Sequence, residues 1–194
     1  MHGSNLIKAI RQRDASSEIR CWGGDKMEAA GATLVKHISE VAFMGFVEVL
    51  MNLRTIFRNL DFCKKDILAF KPDVLVLIDY PGFNLRIAKW TKAQNIKVVY
   101  YIAPQVWAWK ENRVKKMKQF IDQMLVILPF EKDYFKNKWN WDVTYVGHPL
   151  IEEIERKKAD ESKEFSIIDK SGSQVNKPVI ALLPGSRKQE IAKK

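Results

Sequence analysis

At 194 residues, 46% of them hydrophobic, the chain has room for one large domain, or one domain and part of another, around a sizeable core. Its 33 Lys plus Arg against 23 Asp plus Glu give a formal charge of +10, which invites an anionic partner without choosing among nucleic acid, a membrane surface and a phosphorylated metabolite. Cys21 and Cys63, far apart and with no metal-ligand spacing, argue against a disulfide framework or metal site, and no apolar run approaches the roughly 20 residues of a membrane span.

Both cysteines are expected in the core of a protein from a reduced, cytosolic compartment. Nothing at the start reads as a signal peptide, so any membrane contact is expected to be peripheral. A helix is predicted over 5–12, with Leu6, Ile7 and Ile10 on one side. It begins almost at once, so a piece of structure upstream is expected to be missing. A strand follows at 19–22, then a turn at 23–25 with two glycines and a brief helix over 26–31. The Gly-Gly pair lacks the rest of a phosphate-binding fingerprint, and a plain turn is the better reading.

Leu34-Val35 reads as a short strand. The apolar stretch 41–50 feeds a long helix to about residue 70, with Leu53, Ile56, Phe57, Leu60, Ile67 and Leu68 at core spacing. Phe43, Met44 and Phe46 stand around Gly45 in that stretch. They either pack inside, the commoner fate of such residues, or line a groove for an acyl chain.

The organising stretch is 72–90, PDVLVLIDYPGFNLRIAKW. VLVLI is an apolar run without alternation, which predicts a strand buried on both faces of a parallel sheet. Asp79 stands at its end, Tyr80-Pro81-Gly82 turns the chain, and helical spacing resumes over 83–90. Ligands of open α/β sheets bind outside the carboxyl ends of the strands, which makes Asp79 a candidate for chemistry, with capping of the turn as the equal alternative. A further strand at 96–102 completes a βαβ unit and places the loop Ala103-Pro104-Gln105 beside Asp79.

Residues 106–120 begin with Trp107 and Trp109 and continue as a strongly basic helix that includes Arg113 and Lys116. Trp interleaved with basic residues suits an anionic lipid surface or nucleic acid, and equally an ordinary solvated face. Strands at 122–128 and 143–146 flank a helix over 129–139, and His148 after the last strand is either a cleft residue or structural. Residues 152–177 read as a polar linker. From 178 a new strand, the loop Pro184-Gly185-Ser186-Arg187 and a helix start containing Glu190 form the beginning of a second α/β unit. The free N–H groups of that helix start and the Arg187 guanidinium suit a phosphate.

Six segments, VAFMGFVEVL at 41–50, PDVLVLIDYPGFN at 72–84, YYIAPQVWAWKENRV at 100–114, ILPFE at 127–131, YVGHPL at 145–150 and LLPGSRKQEI at 182–191, resemble the lipid-A-disaccharide synthase family, in the family's order. The resemblance implies a two-domain GT-B glycosyltransferase without metal or cofactor. Such enzymes join UDP-2,3-diacylglucosamine to 2,3-diacylglucosamine 1-phosphate (lipid X), forming the β-1,6-linked lipid A disaccharide 1-phosphate and UDP.

The implied fold is α/β, a doubly wound and mostly parallel sheet. Residues 1–151 become the acceptor-side Rossmann-like domain, 152–177 the linker and 178–194 the start of the UDP-sugar-binding domain. A first strand with a G-E-x-S-G-D turn before His2, and the rest of the second domain with its dimer contacts, are expected to belong to a longer polypeptide, so activity of this chain alone is not implied.

Motif by motif, the resemblance makes Asp79 the general base and assigns Arg187 to the UDP leaving group. It makes Asn84, Gln105, Trp107, His148, Gly185, Ser186 and Glu190 substrate- or nucleotide-binding residues. Phe43, Met44, Phe46, Trp109, Arg113 and Lys116 become acyl or membrane contacts at the cytoplasmic face of the inner membrane. Two other readings compete. A basic α/β nucleic-acid- or membrane-binding module without catalysis has the charge but no recognisable helix-turn-helix, RRM or zinc signature. A dinucleotide oxidoreductase has the alternating pattern but no G-x-G-x-x-G after any strand.

Overall fold

The computed structural model describes residues 1–40 and 53–160. Phe43, Met44 and Phe46, and likewise Gly185, Ser186, Arg187 and Glu190, lie outside the described residues. The chain falls into two compact units, Met1–Ile151 and Glu152–Lys194.

Strands and helices alternate along the first unit. Helix α1 (His2–Arg13) leads to β1 (Arg20–Gly23), the single-turn α2 (Asp25–Glu28) and β2 (Thr33–His37). After α3 (Leu53–Phe70) come β3 (Val74–Ile78), α4 (Pro81–Lys92), β4 (Lys97–Tyr101), α5 (Arg113–Phe120), β5 (Gln123–Val126), α6 (Pro129–Trp139) and β6 (Thr144–Tyr145). The strands are all parallel but divide into two sheets: β1 with β2, and β3-β4-β5-β6 in that order.

Local chemistry accounts for the element boundaries. Pro81 and Pro129 sit in the first turn of α4 and α6, where a missing N–H costs nothing. Asn140 closes α6 in the left-handed conformation that asparagine tolerates, at φ 46°. The main core lies around the four-stranded sheet. Ile87 from α4, Val98 and Tyr100 from β4, Val114 from α5, Val126 from β5 and Phe135 from α6 all have 0% exposure. Ile7, Cys21 and Ala32 form a smaller cluster around the two-stranded sheet. Aromatic and ionic contacts join the two: Trp22 of β1 packs on Phe62 of α3 and Phe83 of α4, and Arg20 pairs with Asp66 at 2.5 Å.

Several sequence expectations change here. Among the described residues the VLVLI run is not buried on both faces, since Val74 is 42% exposed and Leu77 is its buried residue, and β3 stands at the edge of its sheet. β4 and β5 hold the central places. Trp107 and Trp109 are not on the basic helix: that helix starts only at Arg113, and left-handed Lys110, at φ 56°, stops helical geometry from reaching back to them. The strand expected at 143–146 contracts to Thr144–Tyr145, and the brief helix expected over 26–31 to Asp25–Glu28. The stretch read as a polar linker opens inside a helix, α7 (Pro149–Asp160). Cys21 is buried and Cys63 packs against the main core; burial raises both thiols, Cys63 to about 12, which suppresses thiolate chemistry.

The amino ends of β4 and β5 are tied by Asp122. Its carboxylate accepts a bond from the Val98 N–H at 2.8 Å and pairs with the Lys92 ammonium. Burial pushes its pKa up, but the Lys92 bond and the Val98 N–H outweigh that, and the net shift is downward. A carboxyl whose folded pKa is depressed stabilises the fold above its unfolded pKa and loses that contribution as the pH falls through the folded value. Asp122→Asn is therefore expected to lower stability at pH 7 by roughly 1 kcal/mol in urea unfolding, with the deficit against the parent shrinking below about pH 4.

Candidate functional site

Seven non-glycine residues among those described have positive φ. Lys71, Asn95 and Asn140 close helices, an ordinary use of the conformation. The other four, Asp79, Tyr80, Ile102 and Lys110, fall in the loops that leave β3 and β4. A β-branched residue such as Ile102 at φ 67° is a true outlier, and strain of this kind collects at working sites.

Asp79 and Tyr80 are consecutive, at φ 47° and 46°. Two such residues cost about 1–2 kcal/mol each. Three bonds from side chains hold them. The Tyr100 hydroxyl donates to the Asp79 carbonyl at 2.7 Å, and the Asn84 amide donates to the same carbonyl at 2.7 Å and to that of Ile78 at 3.1 Å. At roughly 0.5–1.5 kcal/mol net apiece, these bonds offset the strain. The Asp79 N–H also continues the β3-β4 ladder, donating to the Tyr101 carbonyl at 3.0 Å. The result is a fixed backbone with an exposed carboxylate at the carboxyl end of the sheet.

The β4 loop stands beside it, as expected from the βαβ unit. Pro104 is buried, Gln105 is exposed, and Trp107 is half-exposed with its indole N–H donating to Glu131 at 3.3 Å. Glu131 is itself 1% exposed. Its second oxygen accepts from the Leu128 N–H at 3.0 Å, one half of a capping box for α6. The Trp107 ring meets Phe130 edge-on at 5.1 Å. One buried carboxylate thus joins the loop after β4 to the helix after β5.

Trp109 points away from that contact network and is 58% exposed, with Lys110 at 4.5 Å and Arg113 at 5.4 Å from its ring, both in cation–π range. Lys116 is exposed on α5. Burial first and then the Asp79 charge raise the Tyr100 phenol, and Arg113 opposes them, so its charge is felt close to the Asp79 turn.

His148 follows Gly147, whose φ of 80° needs glycine, and its Nδ1 accepts from the Leu150 N–H at 3.2 Å. His2, in the first turn of α1, was not singled out from the sequence. Burial lowers its pKa, the Met1 ammonium and His148 lower it further, and Asp79 opposes them, so His2 lies within electrostatic reach of both His148 and the acid. A lone His at a helix start carries no sequence signal for this. Tyr100 was also missed, since a tyrosine in a strand is ordinary core material.

A concavity of about 280 Å³ lined by Ile67, Leu68, Lys71, Pro72, Gln94 and Ile96 lies at the amino ends of β3 and β4, away from these residues. Among the described residues no cluster of His, Cys, Asp and Glu is arranged to hold a metal ion.

A family model described as "Lipid-A-disaccharide synthetase" matches residues 1–194. The chain belongs to the lipid-A-disaccharide synthetase family. It is 40% identical over 191 residues to "Lipid-A-disaccharide synthase 1" of Legionella pneumophila (strain Lens), covering 98% of this chain and 48% of that protein. "Lipid-A-disaccharide synthase" of Geobacter metallireducens is 39% identical over 193 residues, with 100% and 49% covered. The same-named protein of Coxiella burnetii (strain CbuK_Q154) is 36% identical over 195 residues, with 98% and 50% covered. The chain spans about half the length of these relatives of the synthetase family. Its α/β architecture of parallel strands is that of the Rossmann-like half of a GT-B fold.

Glu131→Gln puts an amide NH₂ where one of two donors now meets an oxygen. It is expected to cost about 1–3 kcal/mol in urea unfolding and to shift the Trp107 fluorescence. Substitution of exposed Lys132 by Ala serves as the control, within about 0.5 kcal/mol of the parent. Equal stabilities for the two variants would contradict the structural role of the carboxylate.

Proposed function

We propose that this chain supplies the acceptor-side half of a lipid-A-disaccharide synthase, an inverting glycosyltransferase that needs no metal. The donor is UDP-2,3-diacylglucosamine and the acceptor 2,3-diacylglucosamine 1-phosphate. The observation that carries the reading is the exposed Asp79 carboxylate on a rigid, strained turn at the carboxyl end of the parallel sheet, in a chain of this family.

Asp79 accepts the proton of the acceptor's 6-hydroxyl as its oxygen attacks the anomeric carbon of the donor. The bond from that carbon to the UDP oxygen breaks, and its electron pair leaves with the diphosphate. Arg187, outside the described residues, stabilises the departing charge in this scheme. Gln105 and Trp107 lie on the loop beside the acid and His148 after β6, positions from which they contact the acceptor sugar.

The products are the β-1,6-linked disaccharide 1-phosphate and UDP. The acylated, anionic substrates reside in a membrane, and the reading places the protein peripherally at the cytoplasmic face of the inner membrane. Support comes from exposed Trp109 with Lys110 and Arg113 around it, and from exposed Lys116 on α5, a combination suited to anionic headgroups. No helix among the described residues is long and apolar enough to cross a membrane. The homodimer implied by the family resemblance belongs to the same proposal.

In the complete protein bearing this sequence, UDP release from the two substrates is expected, with Asp79→Ala lowering kcat by about 10²–10⁴-fold. No UDP release from a folded parent, or full activity in the variant, would overturn the reading.

A further inference from the structure

We propose that Tyr100 is a positioning residue: its core-embedded hydroxyl, with the Asn84 amide, fixes the Asp79 peptide so that the carboxylate is aimed before substrate arrives. This rests on the reading of Asp79 as the base. Tyr100 has 0% exposure and pairs with Leu77 in the β3-β4 ladder, so its ring cannot drift. Its hydroxyl reaches past the strand end to the Asp79 carbonyl at 2.7 Å.

Both amide bonds of Asn84 go to backbone carbonyls, those of Asp79 and Ile78, so the amide nitrogen serves the turn rather than a ligand. With the Asp79 N–H also bonded, at 3.0 Å to the Tyr101 carbonyl, each backbone polar atom of Asp79 is tied while its side chain stays in solvent. The left-handed φ values of 47° and 46° make these ties consequential. Released from them, the two residues relax toward ordinary geometry, and the rotation carries the carboxylate off its line. Burial first, and then the charge of Asp79, raise the Tyr100 phenol, so the donor keeps its proton throughout the working range.

Tyr100→Phe removes one oxygen and leaves the core filled. In the complete protein, with UDP release as the readout, kcat is expected to fall about tenfold while KM stays within twofold. In an Asp79→Asn background the same change is expected to cause no further loss, because a residue acting through Asp79 has nothing left to position. A purely structural role predicts losses that multiply in the double variant, and that result would overturn the proposal. So would an unchanged kcat for Tyr100→Phe in a protein that Asp79→Asn inactivates, an outcome that leaves the base reading standing. Full activity in Asp79→Asn alone would remove the base reading and this proposal together. Asn84→Ala is expected to reproduce the pattern and decides the matter if Tyr100→Phe does not fold.

Discussion

A single bond, from the hydroxyl of Tyr100 to the carbonyl of Asp79, ties the buried core of this molecule to an exposed acid at the end of β3. A parallel strand that runs straight into a helix must reverse within a few residues. Here the reversal falls on Asp79 and Tyr80, neither of them glycine and both left-handed. Such a turn persists only when its surroundings over-determine it. The ladder bond to Tyr101, the Asn84 amide and the Tyr100 hydroxyl together do so. The packing of β4 therefore reaches this loop directly, since whatever holds Tyr100 in the core also holds the Asp79 peptide.

The same logic recurs one strand over. The loop after β4 is irregular, with Ile102 and Lys110 left-handed, and buried Glu131 fastens it through Trp107 to the first turn of α6. A buried carboxylate is tolerable there because both oxygens have donors. The loop divides its tryptophans between two tasks, Trp107 facing the protein and Trp109 facing outward among cations. Strained loops on a firmly packed sheet keep polar groups in place without substrate, which is what electrostatic preorganisation requires.

Much of this architecture was legible from local sequence. VLVLI, KVVYY and QMLV are apolar runs of strand length, and Pro81 and Pro129 mark helix starts by simple sterics. Asp79 stood out because it ends such a run before a Tyr-Pro-Gly turn. What stayed hidden depends on pairing between distant segments. Nothing in VLVLI says that β3 is an edge strand, since that follows from its neighbours. The left-handed Lys110 that takes both tryptophans off the helix has no local signature, because lysine is an ordinary helix former. Tyr100 and Glu131 looked like routine strand and helix residues, and their partners lie 21 and 24 positions away. The resemblance to a glycosyltransferase family could be read from six motifs, yet motifs carry no information on which side chain braces which.

The most direct test of the account is a structure of the complete protein with 2,3-diacylglucosamine 1-phosphate bound. The acceptor's 6-hydroxyl oxygen is expected within about 2.6–3.2 Å of the Asp79 carboxylate, with Asp79 and Tyr80 still left-handed and the Tyr100 bond intact. A 6-hydroxyl beyond reach of Asp79, with another base against it, would contradict the central claim.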